Sequence, residues 1–163
     1  MKIFDCITFY DENLITNARF EILKDVVDYH IICESEYDHS GNKKKINFEL
    51  IDKKFKNKIY HLVISKPFPI PINQWNNEGI QRDYIFEGVK DAKPDDIILF
   101  SDSDEIPDPK KLKNFQLKKK FAIFLQKFFT YKINIYNKHE TPWEGTRAIK
   151  KKDLKSFNYL RKK

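Results

Sequence analysis

The hydrophobic positions of the chain follow two alternating patterns. Apolar runs of strand length predict four β-strands, over residues 2–10, 26–34, 57–65 and 95–101. Apolar residues at helical spacing predict a helix over 14–25, a short one around 47–54 and a longer one over 74–91. Strands that alternate with helices build right-handed β-α-β units. The pattern therefore predicts an α/β fold with a mostly parallel sheet flanked by helices.

The second half of the chain has a less regular pattern. Residues 120–136 carry many aromatic side chains and predict one or two further strands. A short helix is predicted over 110–115, and the basic tail from Asp153 predicts the start of another. No internal repeat or interdomain linker stands out, so the 163 residues are predicted to form a single domain.

The composition of the chain argues against disorder and excludes some common kinds of binding site. Aromatic residues make up 15% of the chain, and they supply the burial that disordered sequences lack. The four glycines are too far apart for a glycine-rich phosphate loop, and the four histidines match no zinc-binding spacing. Cys6 and Cys33 each lie in an apolar run, where reduced and buried cysteines are expected.

The charge of the chain permits several partners. Thirty-one basic and 24 acidic residues give a formal charge of +7, which suits nucleic acid, an anionic lipid or a phosphorylated small molecule. A solvated lysine-rich surface explains the same excess. The sequence holds no apolar stretch near 18 residues, so neither a signal peptide nor a membrane span is expected. Peripheral contact with a membrane stays open.

An acidic cluster follows the fourth predicted strand. Ligands of parallel sheets bind beyond the carboxyl ends of the strands, and Asp102, Asp104 and Glu105 lie at that position. Three carboxylates in four residues repel one another unless a cation or water relieves them. Hard oxygen ligands suit Mg²⁺ or Mn²⁺, with phosphate oxygens completing the shell. Asp102 and Asp104 are therefore predicted metal ligands; a solvated turn with a capping aspartate is the alternative.

The residues around this cluster resemble a known family. The run over 97–107, IILFSDSDEIP, is similar to the hallmark of glycosyltransferase family 17. Other segments resemble the family in the same order: 4–12, 19–28, Glu34-Ser35 with the loop after it, and Gln81-Arg82-Asp83. Asp83 departs from the asparagine usual in that signature. The resemblance runs from about residue 3 to 115 and more weakly to about 150.

The resemblance implies a GT-A type, Rossmann-like sheet with an Asp-x-Asp metal site. It implies an inverting glycosyltransferase that uses a UDP-sugar, UDP-GlcNAc in the family's typical enzyme, together with Mn²⁺ or Mg²⁺. The acceptor would be a glycan or a glycolipid. Family members usually continue further, so the chain is expected to be C-terminally short. Golgi members carry a membrane anchor that is not found here, so a cytoplasmic location is expected.

Donor-binding roles are assigned to Glu12, Glu34, Arg82 and Ser103. Glu12 follows the first strand, and Glu34 ends the second, where it can accept hydrogen bonds from a ribose or uracil. A guanidinium suits phosphate geometry, so Arg82 is a candidate for the diphosphate. A surface ion pair with an acidic neighbour is the alternative for Arg82. Ser103, inside the acidic cluster, is assigned to the same donor.

Inversion needs a base that removes the proton of the acceptor hydroxyl. Glu140 and Glu144 flank Pro142-Trp143 and are the candidates, predicted to lie beyond the sheet. Two other functions stay open: a truncated, non-catalytic sugar-nucleotide-binding domain, and a basic nucleic-acid-binding protein. The lysine clusters lack a recognised nucleic-acid motif and interleaved aromatics, so no nucleic-acid partner is expected.

Overall fold

The structure is a computed structural model and describes residues 1–130 and 135–163. Six strands form one mixed sheet in the order β3-β2-β1-β4-β6-β5. The strands are β1 Ile3–Thr8, β2 Tyr29–Ser35, β3 Ile59–Ile64, β4 Ile97–Ser101, β5 Phe121–Gln126 and β6 Trp143–Lys150. Neighbours among β1 to β4 pair in parallel, whereas β6 pairs antiparallel with both β4 and β5. The predicted α/β class with a mostly parallel sheet is confirmed.

The helices cover the two faces of this sheet. They are α1 Asn13–Leu23, α2 Gln74–Tyr84, α3 Pro109–Leu112 and α4 Phe157–Arg161. Short 3-10 helices span Lys53–Lys58, Ile85–Gly88 and Lys151–Asp153. Polar caps fix where helices begin: Asn73 accepts from the Asn76 N–H before α2, and Ser156 accepts from the Tyr159 N–H before α4. None of the described helices combines the length and hydrophobicity needed to cross a bilayer.

Alternation along the strands sends side chains to both faces. Cys6, Ile98 and Phe100 pack on the face that α2 and α4 cover, where Phe157 is fully buried. Leu99 packs on the other face with Leu23 of α1. Strands β1, β2 and β4 are therefore buried on both sides, which explains their largely apolar runs, whereas the edge strand β3 exposes Tyr60. Cys6 and Cys33 are buried and free of disulfides, as predicted.

The strand order places a topological switch between β1 and β4. From β1 the chain builds outward through β2 and β3, and it then crosses back to place β4 on the other side of β1. Such a crossing opens a crevice at the carboxyl edge of the sheet, where ligands of open α/β sheets bind. Because β6 is antiparallel to β4, its first residues lie at this same edge.

Three sequence predictions need correction. Residues 143–150 form strand β6, so Glu144 lies in the sheet rather than beyond it. No helix covers residues 47–54, and the 3-10 helix at Lys53–Lys58 stands near that place instead. One or two strands were predicted within 120–136; β5 covers only Phe121–Gln126 of this range, and residues 131–134 lie outside the described residues. Polar residues interrupt the apolar pattern of β6, which hid that strand. The backbone N–H groups of residues 47–49 bond to the side chains of Glu34 and Asn13 instead of forming a helix.

Candidate active site at the carboxyl edge of the sheet

The acidic cluster forms a tight turn directly after β4. Residues 102–105, called the acidic turn here, are closed by a 3.2 Å hydrogen bond from the Glu105 N–H to the Asp102 carbonyl. Asp104 is exposed, Asp102 is partly exposed, and Ser103 and Glu105 are buried. The two predicted metal ligands therefore lie on the accessible part of the turn, whereas the Ser103 side chain lies within it.

Arg19 of α1 holds the backbone of the acidic turn. Its Nη1 donates to the carbonyls of Asp102, Ser103 and Glu105 at 3.2–3.3 Å. Its Nη2 donates to Ser101 Oγ at 2.7 Å. A single guanidinium thus satisfies several carbonyls that the turn directs inward, which fixes the conformation of the turn from within the fold.

Charge compensation for Arg19 comes from the middle of β1. The guanidinium contacts both carboxylate oxygens of Asp5, at 2.7 and 2.8 Å, and both side chains are almost completely buried. His30 Nδ1 lies 2.9 Å from Asp5 Oδ2. Burial raises the pKa of Asp5, but Arg19 and His30 outweigh it and hold that pKa below its usual range. The carboxylate is therefore ionised and paired beneath the turn.

Arg161 at the end of α4 contacts the acidic side chains themselves. Its Nη2 lies 2.7 Å from Asp102 Oδ2 and 2.9 Å from Glu105 Oε1, and its Nη1 donates to Glu105 Oε2 at 3.0 Å. Glu105 also accepts from Trp143 Nε1 at 2.6 Å and from the Asp102 N–H at 3.2 Å. Glu105 is therefore fully engaged in the protein, whereas the Asp102 side chain is 41% exposed and Asp104 is exposed.

The acidic turn supplies only some of the ligands that a metal site needs. Within residues 1–130 and 135–163, no three His, Cys, Asp or Glu side chains converge to hold a metal ion. A cation at Asp102 and Asp104 would need further oxygens from a ligand, which is how Mg²⁺ commonly binds, with one or two carboxylates plus substrate phosphates. The residues fit such a shared site, in which Arg161 already neutralises part of the negative charge.

A cavity of about 680 Å³ opens in front of β6 and is called the β6 cavity. Glu140, Glu144, Arg147 and Arg161 line it together with Trp143. Both candidate bases therefore lie in one cavity, next to the acidic turn that Arg161 contacts. Burial and the neighbouring Arg161 guanidinium lower the pKa of Arg147, although it remains a cation. The Trp143 ring stacks on Phe128 at 4.9 Å, so it forms a packed wall.

A smaller cavity of about 170 Å³ lies at the ends of β1 and β2 and is called the β1–β2 cavity. Tyr10, Glu12, His39, Lys44 and Gln81 are among the residues that line it. Glu12 Oε2 accepts from the N–H groups of Tyr10 and Asp11, which fixes the chain where it leaves β1. Glu12 therefore lies at the predicted edge, with one oxygen engaged by the backbone.

Glu34 lies beneath this cavity. It is fully buried, and its carboxylate accepts from Lys44 Nζ and the Asn47 N–H at 2.7 Å and from the Phe48 N–H at 3.1 Å. These contacts order the loop after β2, which has no regular structure of its own. Glu34 thus positions Lys44 at the cavity; its carboxylate is engaged within the protein.

The Gln81-Arg82-Asp83 signature binds three parts of the fold together. Gln81 donates to the carbonyls of Phe9 and Cys33, and so joins the exits of β1 and β2. Asp83 accepts from Ser156 Oγ and the Phe157 N–H, and so caps α4. Arg82 forms an ion pair with Glu78 at 2.8 Å, the alternative that the sequence had left open. Among the described residues, no hydrogen bond or ion pair links Arg82 to the acidic turn or to the cavity at the ends of β1 and β2.

Sequence reasoning assigned no role to Arg19, Arg147 or Arg161. A signal for Arg19 was available: it shares the buried face of α1 with Thr16, Phe20 and Leu23, and an arginine on an apolar face needs a buried partner. Arg161 lay in a terminal basic run, where nothing distinguishes it from solvated lysines. Arg147 lay in the strand that the sequence pattern did not predict.

The sequence of this chain is similar to those of known proteins. The chain is similar to the beta-1,4-mannosyl-glycoprotein 4-beta-N-acetylglucosaminyltransferase of Rattus norvegicus, with 27% identity over 116 residues. The match covers 65% of this chain and 22% of the rat protein, so the chain spans less than a quarter of that relative's length. No solved structure matches the chain. The glycosyltransferase family 17 profile matches residues 1–160, and the chain therefore belongs to that family.

Proposed function

We propose that this chain is a GT-A type glycosyltransferase that moves N-acetylglucosamine from a UDP-sugar to a hydroxyl group of a glycan or glycolipid, with inversion. The observation that carries the proposal is the position of the acidic turn at the β1–β4 switch. The β1–β2 cavity opens on one side of it and the β6 cavity on the other. Family membership and the similarity to the rat enzyme support the donor class.

The nucleoside end of the donor is assigned to the β1–β2 cavity. Polar side chains from the exits of both strands meet there, and the hydroxyl groups of Tyr10 and Tyr37 can hydrogen-bond to base or ribose oxygens. The diphosphate then extends along the carboxyl edge toward the acidic turn. This orientation leaves the β6 cavity for the sugar and the acceptor, and its volume of about 680 Å³ is suited to groups of that size.

A divalent cation, Mn²⁺ or Mg²⁺, is proposed at Asp102 and Asp104. The carboxylates of the exposed Asp104 and the partly exposed Asp102 are hard ligands of the kind both ions prefer. Bound there, the ion supplies Lewis-acid neutralisation of the departing diphosphate. Arg161 keeps the turn compact by compensating Asp102 and Glu105.

Glu144 is the proposed base. Inverting transfer forms a bond from the acceptor oxygen to the anomeric carbon and breaks the bond to the diphosphate, while the base takes the hydroxyl proton. Glu144 stands in a strand that fixes its backbone, and its carboxylate lies 3.8 Å from Arg147 Nη2. Glu140 lines the same cavity and is the second candidate.

Calorimetry of UDP and UDP-GlcNAc tests donor and cation together. The wild type is expected to bind both ligands with Mn²⁺ and to lose about tenfold or more in affinity in EDTA or on Asp104→Asn. Asp108→Asn is the matched control, because this exposed aspartate caps α3 and asparagine also caps. Equal binding in EDTA contradicts the cation; no binding under any condition contradicts the donor assignment.

A second experiment separates the two candidate bases. With UDP-GlcNAc and a mannosyl glycopeptide, release of UDP should fall by about 10²–10⁴-fold in the variant that lacks the base. Glu144→Gln is expected to show this loss with unchanged affinity for UDP, and Glu140→Gln is expected to retain most of the rate. The reverse result assigns the role to Glu140, and two active variants contradict both assignments.

A further inference from the structure

An apolar surface away from the acidic turn has no role in the proposed transfer. It is formed by residues 66–75, called the proline loop here: residues 66–73 have no regular structure, and residues 74 and 75 begin α2. The side chains of Ile70 and Trp75 are 91% and 82% exposed, and Ile72 is 45% exposed. Three large apolar side chains exposed within six residues are unusual for a loop that faces only water.

The proline loop is held in place despite these exposed tips. Phe68 is buried and packs against the His39 ring, with the ring centroids 6.1 Å apart. Gln74 Nε2 donates to Ser40 Oγ at 2.8 Å, and Asn77 Nδ2 donates to the His39 carbonyl at 2.9 Å. The loop and the turn around residues 39–46 therefore form one continuous surface.

The charge of this surface is mainly positive, although the Asp38 carboxylate, which accepts from Asn42, lies at its edge. Residues 39–46 and 66–77 contain four lysines and no aspartate or glutamate, in a chain that holds 24 acidic residues. Lys44 is engaged with Glu34, while Lys43, Lys45 and Lys66 are exposed. Exposed apolar tips beside solvated ammonium groups match the two layers of a bilayer surface, with acyl chains below and anionic phosphates above.

We propose that residues 39–46 and 66–77 form a docking surface for a membrane that contains acidic phospholipids. Ile70 and Trp75 insert at the interface, where tryptophan is favoured, and the three exposed lysines contact phosphate groups. This inference does not depend on sugar transfer.

Docking at this surface also orients the candidate site. His39 belongs both to the docking surface and to the wall of the β1–β2 cavity, where its Nε2 lies 2.7 Å from Gln81 Oε1. The carboxyl edge of the sheet is thereby brought close to the bilayer. The candidate site would then reach an acceptor that stays anchored in the membrane.

Vesicle flotation tests the proposal. The wild type is expected to float with phosphatidylcholine vesicles that contain phosphatidylserine and not with phosphatidylcholine alone. Ile70→Glu combined with Trp75→Glu should lower the bound fraction by about tenfold, because membrane affinity follows the apolar area inserted. Leu125→Glu is the matched control, since Leu125 is 55% exposed on β5 at the other end of the sheet. The melting temperature of each variant verifies its fold.

Two further readouts locate the contact. Fluorescence emission of Trp75 in a Trp143→Phe background should shift to the blue with acidic vesicles, since the chain holds two tryptophans. Replacing Lys43, Lys45 and Lys66 by glutamine should abolish the preference for acidic lipid. Equal flotation of wild type and the Ile70/Trp75 variant overturns the proposal. A dimer in light scattering that this variant dissociates, without vesicle binding, overturns it in favour of self-association.

Discussion

Arg19 and Arg161 hold the same acidic turn through different atoms. Arg19 is fully buried and donates to backbone carbonyls of the turn, with Asp5 as its counter-ion. Arg161 is partly exposed and contacts the carboxylates of Asp102 and Glu105. Removing one partner of a fully buried pair costs several kcal/mol, whereas the contact of Arg161 with Asp102, whose side chain is 41% exposed, is weakened by water. The first arginine thus fixes the conformation of the turn, and the second tunes its charge.

The largest effect is expected for Arg19→Met. The variant leaves Asp5 buried without its guanidinium, which should lower the free energy of unfolding by about 3–5 kcal/mol in urea denaturation. Replacing both partners, with Asp5→Asn and Arg19→Met, should recover part of the loss because no unpaired charge is then buried. If Arg19→Met costs no more than Arg161→Met, the contrast between the two arginines is wrong.

The Asp5–Arg19 ion pair should make the free energy of unfolding depend on pH in the acidic range. Burial raises the pKa of Asp5, but Arg19 and His30 hold its folded-state pKa below the usual range, and an unfolded aspartate titrates near ~3.9. Since the folded pKa lies below the unfolded one, the pair contributes stability above about pH 4 that is lost as the pH falls further. Urea denaturation between about pH 5 and 2 should therefore show a steeper decline for the wild type than for the double variant. Parallel curves for the two proteins contradict the assignment.

A smaller effect is expected for Arg161→Gln. Glu105 keeps its bonds to Trp143 and the Asp102 N–H, so the loss in free energy of unfolding should be about 1 kcal/mol. Removing one positive charge beside Asp102 should raise the affinity of the turn for Mn²⁺ in titration calorimetry. Lys162→Gln, at an exposed neighbouring position, is the control. Weaker binding of Mn²⁺ by Arg161→Gln contradicts the competition between guanidinium and cation.

The smallest effect on folding is expected for Asp104→Asn. The side chain is exposed, and the change removes one of three neighbouring carboxylates, so the melting temperature should stay the same or rise by a few degrees at most. Scanning calorimetry without added metal measures this shift. A clearly lower melting temperature would show that Asp104 stabilises the turn, and the metal assignment would lose its structural basis.

The parallel half of the fold could be predicted from the sequence because its strands are buried on both faces. Ile97–Ser101 consists almost entirely of apolar residues, and the acidic turn follows at once. Strand β6 was missed because Glu144, Thr146 and Arg147 interrupt its apolar pattern. Thr146 is nevertheless buried, since its hydroxyl donates to the Glu105 carbonyl at 2.7 Å. A hydrogen bond between residues so far apart leaves no periodic signal.

The sequence by itself determined that carboxylates follow a buried strand at the ligand-binding edge of a sheet. Only the tertiary structure decided what those carboxylates contact. Arg19 and Asp102 are 83 positions apart in the chain, and Asp102 and Arg161 are 59 apart. Local patterns record which face of a helix or strand is buried, but the partner of a charged side chain depends on how distant elements pack. In this protein, that packing brings one arginine beneath the acidic turn and the other against its carboxylates.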